Sequence, residues 1–162
     1  MPDLANTVAA EFANHFEGTA LKLRKWVEPV TDHQFWKNPY GYGNSIGHLV
    51  LHLTGNLNYY IGAQIAGSGY VRNRDLEFAD ATRPSKEEVL RAFDRAIQLV
   101  VATVGKQTAA DWSAEYSAER SEEKNRFAIL LRCAAHADHH LGQIIYLSKE
   151  FARQADSRVA SH

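Results

Sequence analysis

Cysteine is nearly missing from this chain. Cys133 stands alone, so no intramolecular disulfide can staple the fold. Basic excess is missing as well: the formal net charge is −1 and the Lys and Arg residues are dispersed. Nucleic acid and anionic membrane surfaces are recognised by concentrated basic patches, so neither is an expected partner. No apolar run approaches the roughly 18 residues that a membrane span needs. The first residues, Met1-Pro2-Asp3-Leu4-Ala5-Asn6, lack the basic start and apolar stretch of a signal peptide. Together with the single cysteine, this points to the cytoplasm. Strand-like alternation is nearly absent too, which argues against a sheet.

What is present is helical periodicity in a chain of 162 residues, 45% hydrophobic and 23% charged, long enough to bury one core. The spacing predicts a first helix over about 3–27, with Leu4, Val8, Phe12, Phe16, Leu23 and Val27 apolar, ending before Pro29. A short helical turn is expected around 31–36, and the cluster 37–43, with Pro39, Gly41 and Gly43, breaks it. Asn44 or Ser45 then caps a second helix reaching about Ala66, before Gly67 and Gly69. After a connection over 70–84, Ser85 and Glu88 form a capping box that opens a third helix, running to about Gly105. A second irregular stretch covers 106–120. Ser121, Glu122 and Glu123 suit the positive end of a fourth helix, extending to about Arg153. The expected fold is all-α: a four-helix bundle with long connections between helices two and three and between three and four. A single domain over 1–153 and a flexible tail over 154–162 complete the reading.

Five of the eight histidines fall into two groups. His136 and His140 are one helical turn apart, on a stripe with Ile129, Cys133, Ile144, Leu147 and Phe151. Such a pair has Cβ atoms roughly 5–6 Å apart, close enough for both imidazoles to meet one metal ion. Two polar rings in an apolar seam also need partners, because burying them unpaired is costly. Helix two carries a matching pair, His48 and His52, on a stripe with Asn56 and Tyr59. If the helices are neighbours, three or four rings meet in one pocket. His139 falls on the polar side with Arg132 and Glu150 and reads as exposed, and His15 and His33 read as surface or core-edge residues.

Leu49 and Ala137 follow the first histidine of each pair, so the glutamate of a His-Glu-x-x-His zinc protease is absent. The Glu-x-x-His pairs of di-iron bundles are absent too, which favours a mononuclear, histidine-rich site. Three neutral nitrogens leave an ion open positions for water or substrate. Asn56 and Tyr59 are candidates to line a substrate pocket. Arg72 and Arg74, with Asp75 and Glu77, are candidates to fold over its mouth and bind an anionic group, although such a charged string commonly marks a solvated loop. Cys133 reads as a small buried hydrophobe, and Trp36 and Trp112 as core anchors.

The segments Asn44-Ser45-Ile46-Gly47-His48-Leu49-Val50-Leu51-His52-Leu53-Thr54-Gly55-Asn56 and His136-Ala137-Asp138-His139-His140-Leu141-Gly142-Gln143 resemble the DinB/YfiT-like superfamily of metalloenzymes. The loop 72–78 resembles one bacterial subgroup of it. The resemblance covers about residues 10–149. It implies a four-helix bundle with a three-histidine site at His52, His136 and His140. It leaves His48 as an outer neighbour of the site, since that position is often not histidine in the family. Many relatives carry a basic residue after the second helix-four histidine, where this chain has Leu141. Relatives include thiol-dependent S-transferases, a maleylpyruvate isomerase and proteins described as metal-dependent hydrolases.

The expectation that follows is a metal-dependent enzyme, an S-transferase or hydrolase acting on a small molecule. Its cofactor would be one divalent ion, zinc or nickel first among those imidazole suits, with a low-molecular-weight thiol as a candidate co-substrate. The competing expectation is a non-catalytic metal-binding bundle, serving as a stress-response or ligand-binding module. A homodimer is compatible with either.

Overall fold

The computed structural model describes residues 3–79 and 82–159, and among them the chain is helical without strands. Helix α1 (Leu4–Val27) buries Phe16, Leu23 and Val27 and stops just before Pro29, as the periodicity requires. Leu4, expected on the apolar face, is exposed. Thr31 and Gln34 close a capping box at the start of α2 (Asp32–Trp36), which drives Phe35 and Trp36 into the core. The Trp36 indole N–H donates to the Pro84 carbonyl at 2.9 Å, pinning the long connection to this turn.

Helix α3 (Ile46–Leu57) is capped by Ser45, whose hydroxyl accepts from the His48 amide at 3.2 Å. It continues as a π-helical segment, Asn58–Ala63, which periodicity alone does not reveal. The reason lies across the fold. The Gln64 amide reaches back to Tyr59 and the Ile65 amide bonds to Ile61, so both pass over the carbonyl of Tyr60. That carbonyl instead accepts from the Tyr116 hydroxyl at 3.0 Å. A short α4 (Leu76–Ala79) interrupts the connection expected to be irregular. Helix α5 (Lys86–Val104) opens with the Ser85–Glu88 capping box. The stretch 106–120 holds α6 (Ala109–Ser113), with its own box between Thr108 and Asp111. Trp112 is buried there, and its indole N–H donates to the Ala5 carbonyl at 3.3 Å.

Helix α7 (Arg126–Val159) departs from expectation at both ends. It starts at Arg126 rather than Ser121 because the preceding backbone is committed elsewhere. The Tyr116 amide donates to Lys124 at 2.9 Å, the Arg126 amide donates to Ala114 at 3.2 Å, and Glu115 and Asn125 form an isolated bridge. Asn125 then caps the helix, its side chain accepting from the Ala128 amide at 2.8 Å. At the far end the helix runs on to Val159, past Arg153, so the tail expected over 154–162 is helical as far as it is described. Glu150 supports this turn through Arg153 and Gln154. Residues 160–162 lie outside the described part.

The four long helices pack in a ring: α1 on α5, α5 on α3, α3 on α7 and α7 on α1. Phe16, Leu23, Leu53, Leu57, Phe93, Ile129 and Ile144 are fully buried where they meet. Each such side chain contributes roughly 1.5–3 kcal/mol by leaving water. Tyr60 meets Arg132, His52 meets His136, and Leu49 shares a pocket with Gln143 and Leu147. Helices α3 and α7 therefore run antiparallel, with the histidines at mid-length.

Candidate metal centre

One helical turn separates His136 from His140, and both rings project from α7 toward α3. The His136 Nε2 lies 3.0 Å from His140 Nε2 and 3.2 Å from His52 Nε2. All three ring nitrogens fall within 4.8 Å of one another, a grouping able to hold a metal ion. His52 is buried, at 7% exposure, and the other two are half-buried.

What stands behind the rings fixes how they present themselves. The His52 Nδ1 lies 2.8 Å from Glu77 Oε2, and a carboxylate can only accept, so this nitrogen carries the proton. Glu77 is itself 7% exposed and gripped by Arg72, whose Nε reaches Oε1 at 2.6 Å and whose Nη2 reaches Oε2 at 2.8 Å. The Phe78 ring packs on His52, centroids 4.9 Å apart. Behind His140, Nδ1 meets Gln143 Oε1 at 2.7 Å, while the amide nitrogen of Gln143 faces His139 at 3.4 Å. That arrangement makes Gln143 an acceptor toward His140 and again puts the proton on Nδ1. His136 Nδ1 is buried without a partner among the described residues.

Two Nε2 lone pairs, and a third when His136 adopts the same tautomer, thus face one point. With its proton on Nε2, His136 can donate to one neighbouring ring; with the proton on Nδ1, three lone pairs face one another and suit a cation. Burial pushes the His136 imidazolium down to about 3, reinforced by His140 and His52 beside it. Burial also lowers His140, against its hydrogen bond to Gln143, which favours the charged form. Both rings are therefore neutral at pH 7, the state in which imidazole binds metal. Burial alone would raise Glu77, but hydrogen bonds from His52 and Arg72 outweigh it and hold the carboxyl below its ordinary range. Glu77 and Arg72 cancel in charge, so an ion among three neutral ligands would keep its full charge to stabilise an anionic fourth ligand.

Gly55 makes room for this arrangement. A methyl group in its place would sit 2.9 Å from Glu77 Cδ and closer still to Oε1. Sequence reasoning placed this carboxylate, Glu77, over the site mouth; its position behind His52 is what it missed. A carboxylate or amide behind a ligating histidine is a general device. The available signal was a glycine inside a helix, three residues after His52, where it costs about 1 kcal/mol relative to alanine unless something packs against it. Gln143, one turn from His140, is the second such partner, and its place in the motif alone does not reveal it.

The remaining expected residues are placed variously. His48 is outside the convergent trio; its Nδ1 meets Ser45 Oγ at 2.8 Å and its ring packs edge-on to Trp36. Asn56 is buried at 4% exposure, and its Oδ1 has no partner among the described residues. Tyr59 and Arg74 do border a cavity of about 360 Å³, with Tyr60, Asn73 and Arg120. Arg72 borders it too, but its guanidinium is committed to Glu77 rather than free to grip a ligand. Arg74 lies over the Phe78 ring, 5.5 Å from its centroid. Cys133 is 1% exposed and burial pushes its thiol up to about 12, so it is no thiolate. His139 is exposed, as expected. A second cavity of about 210 Å³, walled by Tyr40, Tyr42, Tyr146 and Gln143, lies on the other side of the histidines. A third cavity, about 730 Å³ between α1 and α7, is lined by Val8, Phe12, Phe127 and Leu131, and none of the three cavities is lined by His52, His136 or His140.

Over residues 3–160 the chain matches the family described as "protein of unknown function (DUF1572)", and it belongs to that family. The family lies in the DinB/YfiT-like superfamily that the histidine motifs resemble. Comparison with curated proteins finds no match. No helix among the described residues is long and apolar enough to cross a membrane.

Proposed function

We propose that this chain is a metal-dependent enzyme, a four-helix bundle with a mononuclear site in which His52, His136 and His140 bind one divalent ion. The observation that carries the reading is the convergence of three Nε2 atoms, two of them with their tautomer set from behind. Among the ions that imidazole suits, we favour zinc or nickel. A divalent ion bound here would supply Lewis acidity, lowering the pKa of a coordinated small thiol or water so that a nucleophile is available near neutral pH.

The chain's own residues do the rest. Glu77 keeps the His52 proton on Nδ1 and its lone pair on Nε2, and Arg72 holds Glu77 in place. Gln143 does the same for His140. Phe78 covers the His52 ring and excludes water from that side. The cavity bordered by Tyr59, Tyr60 and Arg74 offers one aromatic wall and a cation for a small acidic thiol or substrate. We read the reaction as S-transfer or hydrolysis on a small molecule in the cytoplasm, with neither nucleic acid nor membrane as partner.

A second reading is favoured by the burial of the Arg72–Glu77–His52 network, which ties the 70–79 segment to α3. On that reading the ion only fastens α3 to α7, in a ligand-binding or stress-response module. Cobalt substitution separates the two. The enzyme reading expects a thiolate-to-cobalt absorption band on adding a cellular thiol, or, for a hydrolase, exchangeable water on the cobalt. A coordination sphere that takes neither refutes catalysis and leaves the structural ion.

A further inference from the structure

Two of the three histidines have an acceptor behind them; His136 does not. Its Nδ1 is one of four buried side-chain atoms that lack a hydrogen-bond partner among the described residues, and two of the others are Asn56 Oδ1 and Arg132 Nη1. The register of α3 against α7 sets these three at one level of the interface. Arg132 stands one turn before His136 on α7. Asn56 stands midway between His52 and Tyr60 on α3. The antiparallel register pairs His52 with His136 and Tyr60 with Arg132, the Arg132 guanidinium lying 4.7 Å from the Tyr60 ring centre. Asn56 therefore faces the interval between Arg132 and His136.

Their chemistry is complementary. Asn56 Oδ1 is an acceptor and Arg132 Nη1 a donor. His136 Nδ1 becomes a donor once Nε2 binds an ion, because a neutral imidazole carries one proton. Leaving a buried polar group unpaired is costly, so three at one level call for a guest. The fourth orphan, Ser148 Oγ, is three turns further along α7 and cannot serve.

We propose that Asn56 and Arg132 hold one ordered water that supports His136 from behind, giving the third ligand the outer partner it otherwise lacks. The water accepts from His136 Nδ1–H and Arg132 Nη1–H and donates to Asn56 Oδ1, about the three hydrogen bonds typical of a buried water. Asn56 is then a positioning residue for the ion rather than a wall of the substrate cavity. The inference rests on the metal-site reading.

The test compares zinc affinity, by chelator competition, in wild type, Asn56→Leu and Asn56→Asp. Asn56→Leu keeps the volume and removes the acceptor, and is expected to weaken zinc binding roughly 10–100-fold. Asn56→Asp keeps an acceptor beside Arg132 and is expected to bind zinc close to the wild-type level. A folded Asn56→Leu protein with wild-type affinity overturns the proposal while leaving the three-histidine site standing. A wild-type protein that binds no zinc overturns both. Imidazole nitrogen NMR of zinc-loaded wild type gives an answer even if Asn56→Leu does not fold. A His136 Nδ1–H protected from solvent exchange supports the bridge, and a rapidly exchanging one refutes it.

Discussion

Alanine at position 55 should harm this protein, although helix propensity alone says the opposite. In a helix interior Gly→Ala is worth about 1 kcal/mol of added stability. Gly55, however, lies under the Glu77 carboxylate, and a Cβ there would meet Glu77 Cδ at 2.9 Å, with Oε1 nearer and Arg72 Nε at 3.4 Å. Ordinary contact between such atoms is about 3.5–4.0 Å, so the carboxylate must retreat on the order of 1 Å. It cannot do so and keep the 2.8 Å bond to His52 or the pair of bonds to Arg72. Disrupting a buried ion pair costs about 3–5 kcal/mol. Offset by the propensity gain, the net destabilisation is about 2–4 kcal/mol. At roughly 2–4 °C per kcal/mol for a chain of this size, the melting temperature should fall by about 5–15 °C. With the His52 ring released, zinc affinity should fall roughly 10–100-fold. Gly18→Ala is the control, since a Cβ there meets nothing within 4 Å and should be neutral or stabilising. Thermal melts and chelator titrations of the two variants decide it. If Gly55→Ala melts at or above wild type with unchanged zinc affinity, the Glu77 clamp does not operate.

Acid should destabilise the metal-free protein before any carboxylate titrates. His136 stays neutral in the fold down to about 3, whereas its ordinary value is 6.5, so the unfolded chain binds a proton that the fold refuses. Its contribution is present above pH 6.5 and lost as pH falls toward 3, at up to about 1.4 kcal/mol per pH unit, and His140 acts in the same direction. Glu77 adds its own loss only below its ordinary 4.5. Urea midpoints of metal-free wild type and His136→Leu between pH 7 and 5 check this; equal slopes for the two proteins would contradict it. Cys133→Ala should cost about 1 kcal/mol of packing and leave zinc content unchanged. Native Cys133 should react with thiol reagents only as fast as the protein opens, and rapid labelling would contradict its burial.

How much of this was legible in the sequence depended on how local the cause was. The spacing of His136 and His140, the Ser85–Glu88 box and the Ser45 cap are decided within one turn of helix, and each appears where the spacing puts it. The start of α7 is not local. Ser121 to Glu123 carry good N-terminal chemistry, yet backbone pairing with residues 114–116 claims that stretch and hands the cap to Asn125. The π-helical turn after Leu57 likewise depends on Tyr116, distant in sequence. Glu77 was hidden for the same reason. It sits in a charged string that reads as solvated loop, and only the tertiary approach over Gly55 turns it into the buried partner of His52. Arg72 was misjudged with it, since its charge is spent on Glu77 rather than offered to a ligand. Asn56 shared a stripe with His52, but the wheel could not distinguish a cavity wall from a buried position between two helices.

Metal content tests the central claim most directly. Purified wild-type protein loaded with zinc and freed of excess should hold one ion per chain by elemental analysis. His52→Ala, His136→Ala and His140→Ala should each lose most of it, while His48→Ala and His139→Ala should retain it. Full zinc retention in folded His136→Ala, or a loss in His48→Ala as large as in His52→Ala, would contradict the ligand set proposed for this fold.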